Sequence, residues 1–400
     1  MQTVKLKEGL YWNGIIDKDL RVFDIIMETE FGTTYNSYLL VGSERTALVE
    51  AAKAPFTDAY IEMVSKLTDL KKIDYIIVNH TEPDHTGSIE RMLDINPDLT
   101  IMGTMGAVGF LKKIVNRPFK SIIAKENDTL SLGDRTLQFM ILPNLHWPDT
   151  MFTYLIEDKV LFPCDAFGAH YAHDGVLRSA LTDVKDYMGA VKYYFDNIIA
   201  PFKNPFMTRA LDRIKDLEIS MICTGHGPVL DTGFEDVINA YKDWCSDKKS
   251  GNKKTVVIPY VSAYGYTAEL AAEIARGIRD SGDIDVRCYD LVSADIAAVM
   301  EDLSMADGLL FGTPTILGDA LKPIWDITTS MCVPVYSGRL ASAFGNYGWS
   351  GEGVPHIIER LKQLKLNVVD GYRVRFKPNP DELEGAYAFG RDFARILLKK

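Results

Sequence analysis

A chain of 400 residues, 47% hydrophobic and 25% charged with 30 glycines, is ordinary globular material, long enough for two domains of about 150 to 250 residues. Its formal net charge of -11 argues against nucleic acid as a partner, because phosphate binding needs clustered Lys and Arg. No segment offers the roughly 18 apolar residues that cross a bilayer, and MQTVKLKEGLYWNG lacks a signal-peptide core. A soluble, cytoplasmic protein with no membrane partner is expected. Cys164, Cys223, Cys245, Cys288 and Cys332 form no Cys-x-x-Cys pair, which excludes a disulfide scaffold and a zinc ribbon and makes most of them small buried residues.

The N-terminus runs directly into strand-like sequence. Residues 35–41 and 45–49 predict a hairpin turning at Gly42-Ser43-Glu44. A helix over 56–70 and an apolar strand over 73–78 follow. Further strands are predicted at 99–103, 121–124, 136–141, 152–156, 159–162 and 219–223, a density that indicates layered α/β structure rather than a bundle. Residues 245–254, CSDKKSGNKK, are polar and rich in Gly, Ser and Lys, and mark a linker. The domains are therefore placed at 1–250 and 251–400. In the second, strands over 255–261, 285–290, 308–312, 340–344 and 368–374 alternate with helices, the first over 267–278. Five strands in some 150 residues predict a small doubly wound parallel sheet.

Four of these apolar runs lead into polar clusters: IDYIIVNH to His80, LQFMILPNLH to His146, KVLFPCD to Asp165 and ISMICTGH to His226. Loops at strand ends can converge on one rim of a sheet. His80-x-Glu82-x-Asp84-His85 crowds four strongly solvated groups into six residues, more than loop capping or core hydrogen bonding requires. Together with Asp165, the imidazoles and carboxylates suit two adjacent N/O coordination spheres for Fe, Mn, Co or Zn, one carboxylate bridging. In an extended stretch Cys164 would point away from Asp165. His170 and His173 are expected in an outer layer, a lid or a solvated loop, and His356 at the start of a structural helix.

H80-T-E-P-D-H85 with His146, Asp165 and His226 resembles the metallo-β-lactamase-like domain of flavodiiron proteins, an αββα sandwich. The hydrolase branch of that superfamily commonly carries His-x-His-x-Asp-His. Glu82 in place of the second His shifts the site toward harder oxygen ligation and iron. The resemblance implies one iron on His80, Glu82 and His146, the other on Asp84, His85 and His226, and Asp165 between them, all seven serving as the catalytic and metal residues. Two ferrous ions, three carboxylates and one hydroxide would sum to neutrality, as would two zincs.

The second domain opens with T255-V-V-I-P-Y-V-S-A-Y-G-Y-T267. Ser262, Ala263, Tyr264, Gly265, Tyr266 and Thr267 can surround a monophosphate at a helix N-terminus, without the Lys of a Walker loop or a Gly-x-Gly-x-x-Gly fingerprint. Two later loops, with Thr313, Pro314, Thr315 and Gly318 and with Gly345, Asn346, Tyr347, Gly348 and Trp349, can hold a planar ring system. This resembles the flavodoxin-like half of flavodiiron proteins, extending the resemblance over nearly the whole chain and implying FMN. It implies an oxygen-scavenging oxidase in an antiparallel homodimer or dimer of dimers. Trp349 would help cover the metal pocket of the partner subunit. With no appended Cys-x-x-Cys module, a separate rubredoxin or reduced coenzyme F420 would donate electrons. Asp24, where many members place a pocket His, resembles the methanogen F420H2 oxidases, and Tyr193 or Tyr194 could supply a pocket hydroxyl. Nitric oxide reduction, a zinc hydrolase, or an electron-transfer protein with a structural metal are the alternatives.

Overall fold

A computed structural model of the chain describes residues 3–246 and 253–399. It divides into two compact units, Met1–Asp247 and Lys248–Lys400. The middle of the expected linker, 247–252, lies outside the described residues.

In the first unit, two sheets are stacked. Seven strands form one: Val4–Lys7, Leu10–Trp12, Tyr38–Val41, Thr46–Val49, Tyr75–Ile77, Thr100–Gly103 and Lys120–Ile123, side by side in that order. The other holds five, again in chain order: Thr129–Ser131, Thr136–Ile141, Met151–Leu155, Val160–Phe162 and Met221–Ile222. Successive strand residues face opposite sides, and here both sides are apolar. Leu40, Val49, Ile77 and Met102 meet Phe139, Met151, Val160 and Phe162 in the seam between the sheets. Their neighbours Leu39, Leu48, Ile76 and Ile101, with Met140, Phe152 and Leu161, turn outward under helices contributing Tyr60, Val64, Leu111, Tyr187 and Leu211. The result is the expected αββα sandwich.

Strand direction fixes where the polar loops emerge. Thr136–Ile141 and Val160–Phe162 both run antiparallel to Met151–Leu155, and Met221–Ile222 runs parallel to Val160–Phe162. The three strands that lead to His146, Asp165 and His226 therefore point the same way and release their loops at one rim.

The second unit is a parallel sheet in the order Ile284–Asp290, Lys254–Tyr260, Gly308–Gly312, Leu340–Tyr347, with a divided edge strand last. That is the doubly wound order 2-1-3-4-5, whose ligand crevice lies at the carboxyl ends of strands one and three. Helices Tyr266–Arg279 and Pro380–Leu398 cover one face, and Ile296–Met305, Lys322–Ser330 and Gly353–Gln363 the other. Among the described residues no helix is long and apolar enough to cross a membrane.

Two expected elements are broken. The helix expected over 56–70 is Thr57–Ser65, because the Asp69 carboxylate accepts from Lys71 N and caps a separate turn, Leu70–Lys72. The strand expected over 368–374 is Asn367–Val368 and Tyr372–Arg375. The Ser342 hydroxyl bonds the carbonyls of Val369 and Asp370 between them, drawing the chain out of the ladder.

Candidate metal centre

The Tyr75–Ile77 strand delivers Asn79, His80, Thr81 and Glu82 as a buried loop, after which Pro83 opens the short helix Pro83–Thr86. Proline suits the first helical position because its missing N–H has no acceptor there. The turn carries Asp84 and His85 inward beside the loops bearing His146, Asp165 and His226.

The seven side chains separate into two sets joined by one carboxylate. In the first, His80 Nε2 lies 3.2 Å from Glu82 Oε2 and 3.3 Å from Asp165 Oδ2, and His146 Nε2 lies 2.9 and 3.1 Å from the same two oxygens. In the second, His85 Nε2 is 3.1 Å from Asp165 Oδ1 and 3.6 Å from Asp84 Oδ1. His226 Nε2 is 3.2 Å from Asp84 Oδ2 and 3.6 Å from Asp165 Oδ1. Donors each about 2.1 Å from a shared ion and roughly 90 to 110° apart sit about 3.0 to 3.4 Å from one another. The first set, at 2.9 to 3.3 Å, keeps close to that spacing and the second, at 3.1 to 3.6 Å, runs slightly wider, and Asp165 gives one oxygen to each.

Part of this cluster is not otherwise satisfied. Both oxygens of Asp84, both ring nitrogens of His85 and Asp165 Oδ1 are buried without a hydrogen-bond partner. Such atoms are costly unless a further group joins them, so the donor set fits a pair of divalent ions. Burial alone would discharge the imidazoles. Their neighbours outweigh it: Cys164 and then Asp165 hold His80 well above the ordinary imidazole range, and the carboxylates of Asp84, Asp165 and Glu82 hold His85 and His146 at about 9. Burial likewise opposes ionisation of Glu82 and Asp165, and the histidines overcome it, pushing both carboxyls well below their usual range.

The expectation for Cys164 is corrected. The strand ends at Phe162, and Cys164 takes the left-handed conformation, φ +50°, rather than an extended one. This places Cys164 Sγ 2.8 Å from His80 Nδ1 and within 4.8 Å of an Asp165 carboxylate oxygen, on the same side as Asp165 instead of pointing away from it. His226 is oriented by a backbone group, the Thr34 carbonyl, 2.6 Å from its Nδ1. A second buried support is Asp149, whose Oδ2 accepts from the amide and hydroxyl of Thr81 and so ties the His146 loop to the His80 loop. The nearness of an acid to His146 in HWPD was the available signal for Asp149; a carbonyl such as that of Thr34 leaves none.

His170 is buried rather than solvated, with Nδ1 2.8 Å from the Thr33 hydroxyl and its ring 5.1 Å from that of His226. Tyr194 is buried 4.9 Å from the His170 ring, whereas Tyr193 is exposed. Asp24 lies at the tip of the hairpin Val22–Phe23 and Met27–Glu28. Partial burial and the nearby carboxylates of Glu82 and Asp84 raise its pKa. His173 accepts from Gly175 N, and His356, in Gly353–Gln363, pairs with Asp319 at 2.8 Å. Cys164, Cys223 and Cys245 are buried, Cys332 partly so, and Cys288 is exposed.

In the second unit, Gly265, φ +86°, lies within the Ser262–Thr267 segment and caps the start of helix Tyr266–Arg279. A Cβ there would meet nothing within 4 Å. The first amides of a helix lack intrahelical acceptors, so this loop suits a phosphate. The Thr267 hydroxyl donates to Asn346 Oδ1 at 2.7 Å, joining the first and last of the three loops. Gly345 is required there, since a Cβ would stand 1.7 Å from Thr313 O. Thr313 and Thr315 use their hydroxyls to hold loop amides, those of Leu321 and Gly353. Pro314 follows Thr313, and Gly318 completes the turn of the Thr315–Ile316 and Asp319–Ala320 hairpin. Tyr264 and Trp349 are exposed and available to a planar ligand, Ala263 is exposed, Tyr266 and Tyr347 are half-buried, and Gly348 backs onto Phe376.

Residues 33–227 match the family described as ODP family beta lactamase, and 258–390 match Flavodoxin. The flavo-diiron protein FprA2 of Clostridium acetobutylicum is 39% identical, over 99% of this chain and 100% of that one. Among solved structures, the flavodiiron protein from Giardia intestinalis is 30% identical with a TM-score of 0.69, covering 100% of this chain and 97% of that one. The rubredoxin oxygen:oxidoreductase of Desulfovibrio gigas is 26% identical with a TM-score of 0.72, covering 100% and 99%.

Proposed function

The chain belongs to the flavodiiron, or type A flavoprotein, family, and on that premise we propose that it reduces O2 to water at two irons with electrons passed through FMN. The observation that carries this reading is Asp165, which gives one carboxylate oxygen to each of two donor sets, with Glu82 an oxygen donor in the first. His80, Glu82 and His146 would hold one iron and Asp84, His85 and His226 the other. The loop Ser262–Thr267 would hold the FMN phosphate, with 313–318 and 345–349 around the ring.

Bound there, a diferrous pair and a reduced flavin supply two electrons each, the four that O2 and four protons need to give two waters. The chain's own part is placement. His80 and His226 are turned by Cys164 and Thr34 so that Nε2 faces the site. Phe23, His170 and Tyr194 wall the pocket beside His226 and keep bulk water from it.

The name of the Desulfovibrio gigas relative supports O2 as acceptor. For the donor we infer reduced coenzyme F420, with two F420H2 and one O2 giving two F420 and two H2O, in the manner of the methanogen F420H2 oxidases. The acid Asp24 where many members place a His supports it. We infer also an antiparallel homodimer or dimer of dimers, with the FMN of one protomer facing the metal pair of its partner; Trp349, 93% exposed, is available to that contact.

Metal and flavin analysis followed by anaerobic stopped-flow mixing tests the proposal. Two irons and one FMN per chain, flavin bleaching on F420H2 and recolouring on O2 are expected. Reduction by a separate rubredoxin alone would replace the donor, and faster turnover of nitric oxide than of O2 would replace the acceptor. Two zincs with no iron-dependent turnover would reject the oxidase.

A further inference from the structure

We propose that Cys164 is a positioning residue for His80, and that its thiol makes the two metal positions chemically unequal. The inference rests on the two-metal reading above. His80 turns Nε2 toward Glu82 and Asp165, at 3.2 and 3.3 Å, and Nδ1 toward Cys164 Sγ, at 2.8 Å. An imidazole that gives its Nε2 lone pair to a metal carries its proton on Nδ1. Cys164 Sγ is therefore the acceptor, and the thiol selects the tautomer that faces the metal.

The corresponding group on the other side is different. His226 Nδ1 donates to the Thr34 carbonyl at 2.6 Å. A carbonyl oxygen is a strong acceptor and a neutral thiol sulfur a weak, polarisable one. Acceptor strength at one nitrogen tunes what the other gives a metal, and here the His226 ring is held by the stronger acceptor and the His80 ring by the weaker. The two positions differ although both sets hold imidazoles and carboxylates.

The placement of the thiol is over-determined. The left-handed φ of Cys164 swings its side chain toward His80, and Gly225 N donates to Cys164 O at 2.5 Å. A Cβ on Gly225 would fall 2.8 Å from His85 Cε1 and 3.1 Å from Cys164 C. Backbone and ligand rings are thus packed around the turn that aims the sulfur.

Full-length protein loaded with Co(II) provides a readout independent of turnover. Proton NMR shows paramagnetically shifted imidazole N–H signals, and competition with a chelator gives the affinity of each metal. Cys164→Ser keeps an acceptor in nearly the same place; it should hold two Co(II) and move the His80 N–H signal while leaving that of His226. Cys164→Ala should weaken one of the two metals by about 10- to 100-fold and keep FMN. Wild-type affinities and N–H signals in Cys164→Ala would overturn the proposal, as would equal metal loss in Ser and Ala, which marks a packing role. If the Ala variant does not fold, an unmoved N–H signal in Cys164→Ser overturns it alone. A sulfur-to-Co(II) charge-transfer band would overturn it by making Cys164 a ligand. Wild-type protein that binds fewer than two Co(II) would instead remove the two-metal reading, before any variant is made.

Discussion

At the scale of single residues, Asp165 is the side chain on which the pair of donor sets depends. Its two oxygens lie 3.3 Å from His80 and 3.1 Å from His85, so replacing one oxygen by NH2 disables one of the two sets. Asp165→Asn is expected to lower metal content from two per chain toward one or none while FMN stays near one, measured by metal analysis and flavin absorbance on the same sample. Unchanged content of two coupled metals would contradict the bridge. Protons compete for the same nitrogens. His85 and His146 are held at about 9 in the metal-free fold against an ordinary 6.5, and a metal must displace those protons. Apparent metal affinity is expected to rise with pH throughout the range below about 9 and to level above it, read from chelator competition in buffers across that range. The same linkage gives the metal-free fold a stabilisation that is complete below 6.5 and disappears as pH rises through about 9. An affinity independent of pH there would exclude the charged imidazoles.

At the scale of elements, the helix that presents the phosphate loop is held by backbone contact. A Cβ on Gly277 would stand 2.1 Å from Tyr387 O, and one on Gly390 would stand 2.2 Å from Ile274 O. Helices Tyr266–Arg279 and Pro380–Leu398 therefore approach more closely than larger residues permit. Gly390→Val is expected to force them apart at a cost of about 1 to 3 kcal/mol. Since the N-terminus of the first of these helices closes the Ser262–Thr267 loop, FMN should be released at lower urea concentration, seen as a rise in flavin fluorescence, with metal content unchanged. Normal FMN retention through the same urea range would show that the loop is positioned independently of the helix pair. Legibility also followed element type. The apolar runs ending at His80, His146 and His226 were readable as strands because both faces of each are buried. The break after Ser65 and the gap at 369–371 were not, because each is made by one polar side chain, Asp69 or Ser342, choosing a backbone partner.

At the scale of the whole molecule, the two units keep separate cores, so metal loss should act on one of them. Chelation of the metal-bearing protein is expected to lower the melting transition of the first unit and leave that of the FMN unit in place, resolved by calorimetry beside flavin fluorescence. A single transition shifting as one would show that the units unfold together. The sequence by itself determined the two-domain order, the family resemblance, and the four strand ends that supply His80, His146, Asp165 and His226, because apolar periodicity and residue chemistry are local properties. Only the tertiary structure decided which Asp165 oxygen meets which donor set, that Tyr194 rather than Tyr193 faces His170, and that Cys164 turns toward His80. Those outcomes depend on strand direction, on which side of a helix meets the core, and on one positive φ. Each is fixed by packing between segments far apart in the chain, which local sequence does not encode.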